Sequence, residues 1–269
     1  MESTNWYKQV LGSPLFPDLQ WSRPENRQHA GKLLIIGGNL HGFSAAASAY
    51  SEAVNAGIGT AKVLLPDALR KTIGSIMENG EYAPSTPSGS FSQKAIAEWL
   101  DWAVWSDGVL LAGDLGKNSE TAIAIEQFIQ KYTGQLTVTK DAVDYFYSSS
   151  ELLLTRKDTT IVLSLPQLQK LAVALHWPEP VTFQMGIVQL VEFLHKFSNK
   201  YPTQIMVYHN ETILVAVAGK VSTTKTGQQK TWRVSTATHA AVWWLQNPSK
   251  PFEALTTAIL DSLEDQKTK

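Results

Sequence analysis

The segment KLLIIGGNLHGFSAAASAYSEAVNAGIGTAKVLLP, residues 32–66, decides the fold. It opens with a short continuous apolar run, Leu33 to Ile36, closed by Gly37 and Gly38. A run of that length bounded by turn residues suits a strand buried on both faces, as in a parallel sheet. Residues 44–56 are rich in alanine, hold no helix breaker and are followed by Gly57 at the place of a helix C-cap. Residues 60–66 then read as a second strand. The whole is the size of a strand–helix–strand unit with its two strands parallel.

The alternation continues on both sides. Helices are expected over 68–77, 92–105, 120–132, 166–175, 185–197, 238–245 and 251–263. Strands are expected over 107–112, 135–139, 205–208 and 212–217, with a short apolar run at 152–155 and a hairpin turn at His209-Asn210-Glu211. Residues 80–92, rich in Gly, Pro and Ser, read as a loop, and so do the Ser-, Thr-, Lys- and Gln-crowded residues 221–238. Residues 1–30 carry Pro14, Pro17 and Pro24 and read as an N-terminal extension; residues 31–269 read as one domain. Strands alternating with helices argue for α/β architecture, a mainly parallel sheet covered on both faces.

Composition narrows the class. The 269 residues are 43% hydrophobic and 17% charged, a mixture that builds a large core without staples. With no cysteine, there is no disulfide framework and no thiolate chemistry. Lys and Arg total 23 against 24 Asp and Glu, so no basic field invites nucleic acid. The apolar runs are too short to span a bilayer, and the first nine residues lack a signal pattern, so a cytoplasmic location without membrane partners is expected.

In parallel sheets ligands sit beyond the C-terminal ends of the strands, which directs attention to the loops after Ile36, Ala112, Thr139, Thr155 and Val217. Gly37-Gly38-Asn39-Leu40-His41-Gly42 leads from strand to helix, and small residues there admit close backbone approach to an anion at the helix N-terminus. Gly113-Asp114-Leu115-Gly116 repeats the pattern. Neither is a dinucleotide fingerprint or a P-loop. Arg156 with Lys157, and Lys220 with Lys225 and Lys230, could clamp phosphates or simply be solvated. Histidines 29, 41, 176, 195, 209 and 239 show no metal-ligand spacing, so no metal site is expected. Trp243-Trp244 reads as core packing, or as a partner surface where exposed.

These residues carry a resemblance. His29-Ala30-Gly31-Lys32, Leu34-Ile35-Ile36-Gly37-Gly38 and Phe43-Ser44-Ala45-Ala46 look like the opening of the ADP/ATP-dependent NAD(P)H-hydrate dehydratases. Residues 53–63 with Gly57 and Gly59, Gly113-Asp114-Leu115-Gly116 with Asp114 in place of a proline, and Pro251-Phe252-Glu253-Ala254 are similar to later elements of that family. The resemblance implies a ribokinase-like three-layer αβα sandwich. It also implies substrate contacts from Asn39, Phe43, Ala46, Gly113, Gly116 and Lys157. ATP or ADP, with magnesium, would lie against Tyr208, His209, Ser235, Thr236, Ala237 and Thr238. The departures weigh as much. The strand-end acid has become Thr139, Lys157 stands for a substrate-contacting histidine, and Val207-Tyr208-His209 lacks the family's Lys and Gly. The Gly-Gly-Thr-Gly-Asp element is reduced to Val234-Ser235-Thr236-Ala237-Thr238-His239, with neither glycine nor aspartate.

Dehydration of a hydrate, or phosphorylation of an alcohol, needs a base at the reacting hydroxyl and donors for developing negative charge. His239 is the titratable side chain at the expected place. Three functions are therefore open: a dehydratase of weak or no activity, a non-catalytic binder of a nucleotide or a partner, and a small-molecule kinase. Self-association is compatible with each.

Overall fold

A computed structural model describes residues 5–75, 77, 79–228 and 232–267, with the side chains of 264–267 left aside. Ten strands form one sheet: β1 (Trp6–Gln9), β2 (Lys32–Gly37), β3 (Thr60–Pro66), β4 (Gly80–Ala83), β5 (Gly108–Gly113), β6 (Gln135–Thr139), β7 (Thr159–Ser164), β8 (Gln204–His209), β9 (Thr212–Val217) and β10 (Lys220–Lys225). The helices are α1 (Pro17–Trp21), α2 (Ser44–Asn55), α3 (Arg70–Ile73), α4 (Ile96–Trp105), α5 (Ser119–Lys131), α6 (Ser150–Leu154), α7 (Leu165–Ala174), α8 (Ile187–Lys200), α9 (Trp232–Gln246) and α10 (Pro251–Lys267).

The strand order is β1-β10-β9-β8-β7-β6-β5-β2-β3-β4. Every neighbouring pair is parallel except β8 with β9 and β9 with β10, so only β9 runs against the rest. Successive side chains of a strand face opposite sides, and β2 shows the result. Leu34 and Ile36 enter one core with Trp99 of α4, Phe128 of α5, Leu168 of α7 and Phe193 of α8. Leu33 and Ile35 enter the other with Ala49 of α2, Trp243 of α9 and Ile259 of α10. Both cores are needed to dry the sheet, which is why the strands read as unbroken apolar runs rather than as alternation.

Five stretches depart from the sequence expectation, one of them residues 159–164, which form β7 where no strand was expected. Residues 6–9, within the expected extension, form β1 at the sheet edge, paired parallel to β10. The expected loop at 80–92 begins with strand β4, and the run at 152–155 lies mostly in helix α6. The expected loop at 221–238 is mostly regular structure, β10 and the first half of α9. Polarity misled there, because the polar groups are satisfied inside. Ser222 Oγ lies 2.8 Å from Thr256 Oγ1, Gln9 Nε2 donates to Thr224 Oγ1 at 3.1 Å, and Trp6 Nε1 to Thr223 Oγ1 at 2.9 Å. A buried hydroxyl with its partner in place costs little, and threonine fits a pleated surface. Trp243 and Trp244 are both buried, so the pair packs the core and presents no partner surface.

Candidate functional site

The chain leaves β2 toward β3 on one side and later places β5 on the other. Such a reversal opens a crevice beyond the C-terminal strand ends, the usual ligand position in open α/β sheets. The loops 38–43 and 114–118 flank it. The first leads into α2 on one face of the sheet, the second into α5 on the other.

Asn39, Phe43, Ala46, Gly113 and Gly116 come together here. Gly38 N–H donates to Gly113 carbonyl at 3.0 Å, drawing the two loops into contact. A Cβ on Gly37 would sit 2.7 Å from that same carbonyl oxygen, so only glycine lets the strands end so close. Asn39 Nδ2 donates to the Asp114 carbonyl at 2.6 Å, while its Oδ1 accepts from His41 N–H at 2.8 Å. Phe43 is half-buried at the start of α2, and Ala46 is fully buried beneath it.

The crevice is occupied by the protein's own charges. Asp114, left-handed at φ 57°, turns its carboxylate onto the N-terminus of α2. Oδ2 accepts Ala45 N–H at 2.8 Å and Ser44 Oγ–H at 3.2 Å, and Oδ1 pairs with Lys140 Nζ at 2.6 Å. An anion is favoured at that position, and here it is a side chain. Burial acts to raise the Asp114 pKa, but the Lys140 ammonium and the donors from Ala45 and Ser44 outweigh it and hold the carboxyl below its ordinary range. Asp141 serves the facing loop. Its Oδ1 accepts Asp114 N–H at 2.7 Å, and its Oδ2 accepts Leu115 and Gly116 N–H at 2.9 and 3.2 Å. Burial, helped by the neighbouring Asp114 charge, lifts the Asp141 pKa despite those donors. Two concavities of backbone N–H groups are thus both filled from within.

His239 lies away from this crevice, inside α9 and with its side chain 0% exposed. Nδ1 is 2.8 Å from Asp261 Oδ2 on α10, and Nε2 is 3.2 Å from Glu52 Oε2 on α2. Trp243 Nε1 donates to Asp261 Oδ2 at 2.8 Å, Ser235 Oγ to Glu52 Oε2 at 2.8 Å, and Arg23 pairs with Asp261 at 3.2 Å. Burial would lower the imidazole pKa. The hydrogen bonds and charges of Asp261 and Glu52 overcome it and raise the value above the ordinary one, while Asp261, against its own burial, is held low by His239, Arg23 and Trp243. The constellation is a four-charge lock joining α2, α9, α10 and the segment after α1.

The remaining expected contacts disperse. Lys157 precedes β7 and stands at the N-terminal edge of the sheet, the end opposite the crevice. The expected loop there belongs to the start of a strand, because 152–155 is helical; the strand that follows carries its ligand-facing end at Ser164. Val217 likewise ends the one reversed strand and falls on the same far edge. Arg156 is turned inward, its guanidinium donating to the carbonyls of Ile129, Tyr132 and Gly134, and is no phosphate clamp. Tyr208 and His209 do end β8 on the crevice side. Tyr208 OH donates to the Gly227 carbonyl at 3.0 Å, its ring centroid lies 5.6 Å from that of Trp232, and buried His209 Nε2 is 2.7 Å from the Met185 carbonyl. Ser235 closes the first turn of α9 and Thr236, Ala237 and Thr238 follow in the second, all four of them buried.

Two polar residues outside the expected set hold the centre of this edge. Gln167 Nε2 donates to the Lys140 carbonyl at 2.7 Å and to Asp144 Oδ1 at 2.9 Å. Arg233, in the first turn of α9, reaches Gln167 Oε1 at 3.4 Å. Ser164 with Gln167 three residues on is a capping-box signature that places Gln167 at a strand end; nothing comparable marks Arg233. Among the described residues no group of His, Asp and Glu is assembled that could hold a metal ion, and no helix is long and apolar enough to cross a membrane.

No protein-family model and no curated protein matches the chain. Solved structures do. A ribokinase-like superfamily protein from Enterococcus faecalis superposes with a TM-score of 0.74 at 15% identity, over 100% of this chain and 91% of that one. The ADP/ATP-dependent NAD(P)H-hydrate dehydratase of Bacillus subtilis, co-crystallized with ATP and Mg2+, gives 0.64 at 13% identity, over 92% and 86%. A phosphomethylpyrimidine kinase from Clostridium difficile gives 0.57 at 10%, over 88% and 99%. The protein therefore has the ribokinase-like fold. Within that fold its neighbours include a dehydratase and small-molecule kinases.

Proposed function

We propose that this chain is a catalytically silent, divergent homologue of the NAD(P)H-hydrate dehydratases, a ribokinase-like scaffold that neither dehydrates the hydrated dinucleotide nor phosphorylates an alcohol. One observation carries the reading: the imidazole of His239, the titratable side chain nearest the place where the sequence would need a base, is sealed between Asp261 and Glu52 without access to the crevice. A general base must come within hydrogen-bond reach of the proton it removes. The carboxylates nearest the crevice do not replace it, since Asp114 is neutralised by Lys140 and Asp141 is spent on three backbone donors.

ATP or ADP and magnesium, the groups implied by the lineage, do not fit the residues expected to hold them. Ser235 through Thr238 are buried, His209 is buried on a carbonyl, and Tyr208 is packed on Trp232. No step is derived through either group. The kinase reading meets the same obstacle, because phosphoryl transfer also needs stabilised anionic charge and a positioned base.

The test is a coupled assay of the full chain with hydrated NADH plus ATP or ADP, alongside thermal-shift measurements with each nucleotide. The expected result is no turnover and no stabilisation. Turnover that disappears in His239→Ala would overturn the reading. Stabilisation by a nucleotide without turnover would replace it with that of a silent nucleotide-binding protein.

A further inference from the structure

Beside the alanines it packs on the sheet, helix α2 with its N-cap carries a second stripe that is only partly buried against the core. Ala46, Ala49 and Ala53 face the core, whereas Phe43, Ala47 and Tyr50, spaced four and three residues apart, share another side. That side lines a cavity of about 400 Å³, open to solvent and bordered by Ile73 of α3 and by Met77 and Asn79 ahead of β4. It lies beside the crevice and is separate from the Asp114 and Asp141 loops, which contribute nothing to its lining.

The volume falls in the range of small-molecule sites, which combine apolar walls with a few placed polar groups. Both are present. The rings of Phe43 and Tyr50 offer flat surfaces, and Met77 supplies an adaptable one. Asn79 is fixed by its backbone, whose carbonyl accepts Val63 N–H at 3.1 Å, and by its side chain, whose Nδ2 donates to Tyr50 OH at 2.5 Å. Among the described residues that leaves Asn79 Oδ1 as an acceptor, with the second amide hydrogen and the Tyr50 hydroxyl hydrogen as donors. Among the described residues the lining carries no charge, so those residues offer a charged group no counterion for the hydration it would lose.

We propose that this cavity is a binding site for a planar, uncharged heteroaromatic molecule bearing an amide or lactam edge. The ring lies against Phe43 and Tyr50, and the N–H and C=O of the edge pair with the side chain of Asn79 and the hydroxyl of Tyr50. The site does not depend on whether the crevice is silent.

The probes are quinolin-2-one, its N-methyl derivative and quinoline-2-carboxylate, titrated into the full chain by calorimetry and saturation-transfer NMR. Quinolin-2-one binds saturably, the N-methyl compound about tenfold more weakly for loss of one donated hydrogen bond, and the carboxylate not measurably. Asn79→Ala weakens quinolin-2-one about tenfold and removes the discrimination against the N-methyl compound. Ala47→Leu fills the cavity from a half-buried helical position and abolishes binding with the circular dichroism unchanged; Ser51→Leu, on the exposed rim, serves if that variant does not fold. Absence of saturable binding, equal affinity for all three probes, or full affinity in both filled variants would overturn the proposal.

Discussion

Asp261→Asn tests the lock that unites the helices of one face. The change keeps the shape of the side chain but removes the charge that faces His239 Nδ1 at 2.8 Å and Arg23 at 3.2 Å. With His239 protonated, the four groups balance as two cations, His239 and Arg23, against two anions, Glu52 and Asp261; the variant leaves one surplus positive charge among buried atoms. Breaking a buried pair by removing one partner costs about 3–5 kcal/mol. Arg23 is 36% exposed, so its pairing adds little and the lower half of that range is expected. At about 2–4 °C of melting temperature per kcal/mol for chains of this size, the loss is about 6–16 °C.

The pH dependence separates this account from simple loss of packing. His239 has a raised folded pKa, so its contribution is fully present below its unfolded value, about 6.5, and is lost as pH rises through the folded value. Asp261 has a lowered folded pKa, so its contribution is present above the unfolded value, about 3.9, and is lost as pH falls through the folded value. The lock is strongest between those two unfolded values. The destabilisation by Asp261→Asn, measured by urea unfolding, is therefore largest near about pH 6 and shrinks as alkaline pH passes through the raised pKa of the wild-type imidazole. A penalty below about 1 kcal/mol near about pH 6, or one that grows as the pH is raised, would refute the reasoning.

Asp114→Asn removes the anion from the start of α2 and its bond to Lys140; urea unfolding at neutral pH should show a loss of about 1–2 kcal/mol that vanishes once acid has protonated the wild-type carboxyl. Gly37→Ala drives a methyl to 2.7 Å from the Gly113 carbonyl oxygen, and a melting-temperature drop worth about 1–3 kcal/mol is expected. Lys157→Ala changes the melting temperature by no more than about 2 °C, because the side chain is exposed on the far edge of the sheet. Arg156→Ala, by contrast, strands three carbonyl acceptors and lowers stability by about 2–4 kcal/mol in the same measurement.

The fold was legible where burial leaves a plain record. Residues 33–36 had to be dry on both sides, and the two cores that receive Leu34 and Leu33 are the consequence. Residues 221–238 were illegible for the opposite reason. Their Ser and Thr side chains read as solvated, yet Ser222, Thr224 and Ser235 are buried because partners distant in sequence accept or donate to them. Pairings such as Gln9 with Thr224 or Ser235 with Glu52 leave no local periodicity. The crevice was half legible. The glycine loops announced it, but that Asp114 would turn back onto α2 depends on a left-handed backbone and on Lys140 across the crevice. His239 stood out as a titratable group, and only the folded chain shows its two carboxylate neighbours.

The edge pairing of β1 with β10 has a consequence for synthesis. Trp6 meets Val221, and Gln9 reaches across to the carbonyl of Thr256 on α10. A nascent chain emerges with its first strand already made and nothing for it to pair with until more than two hundred further residues have left the ribosome. Residues 6–9 therefore have no strand to pair with before β10 is made and stay within reach of chaperones and proteases until then.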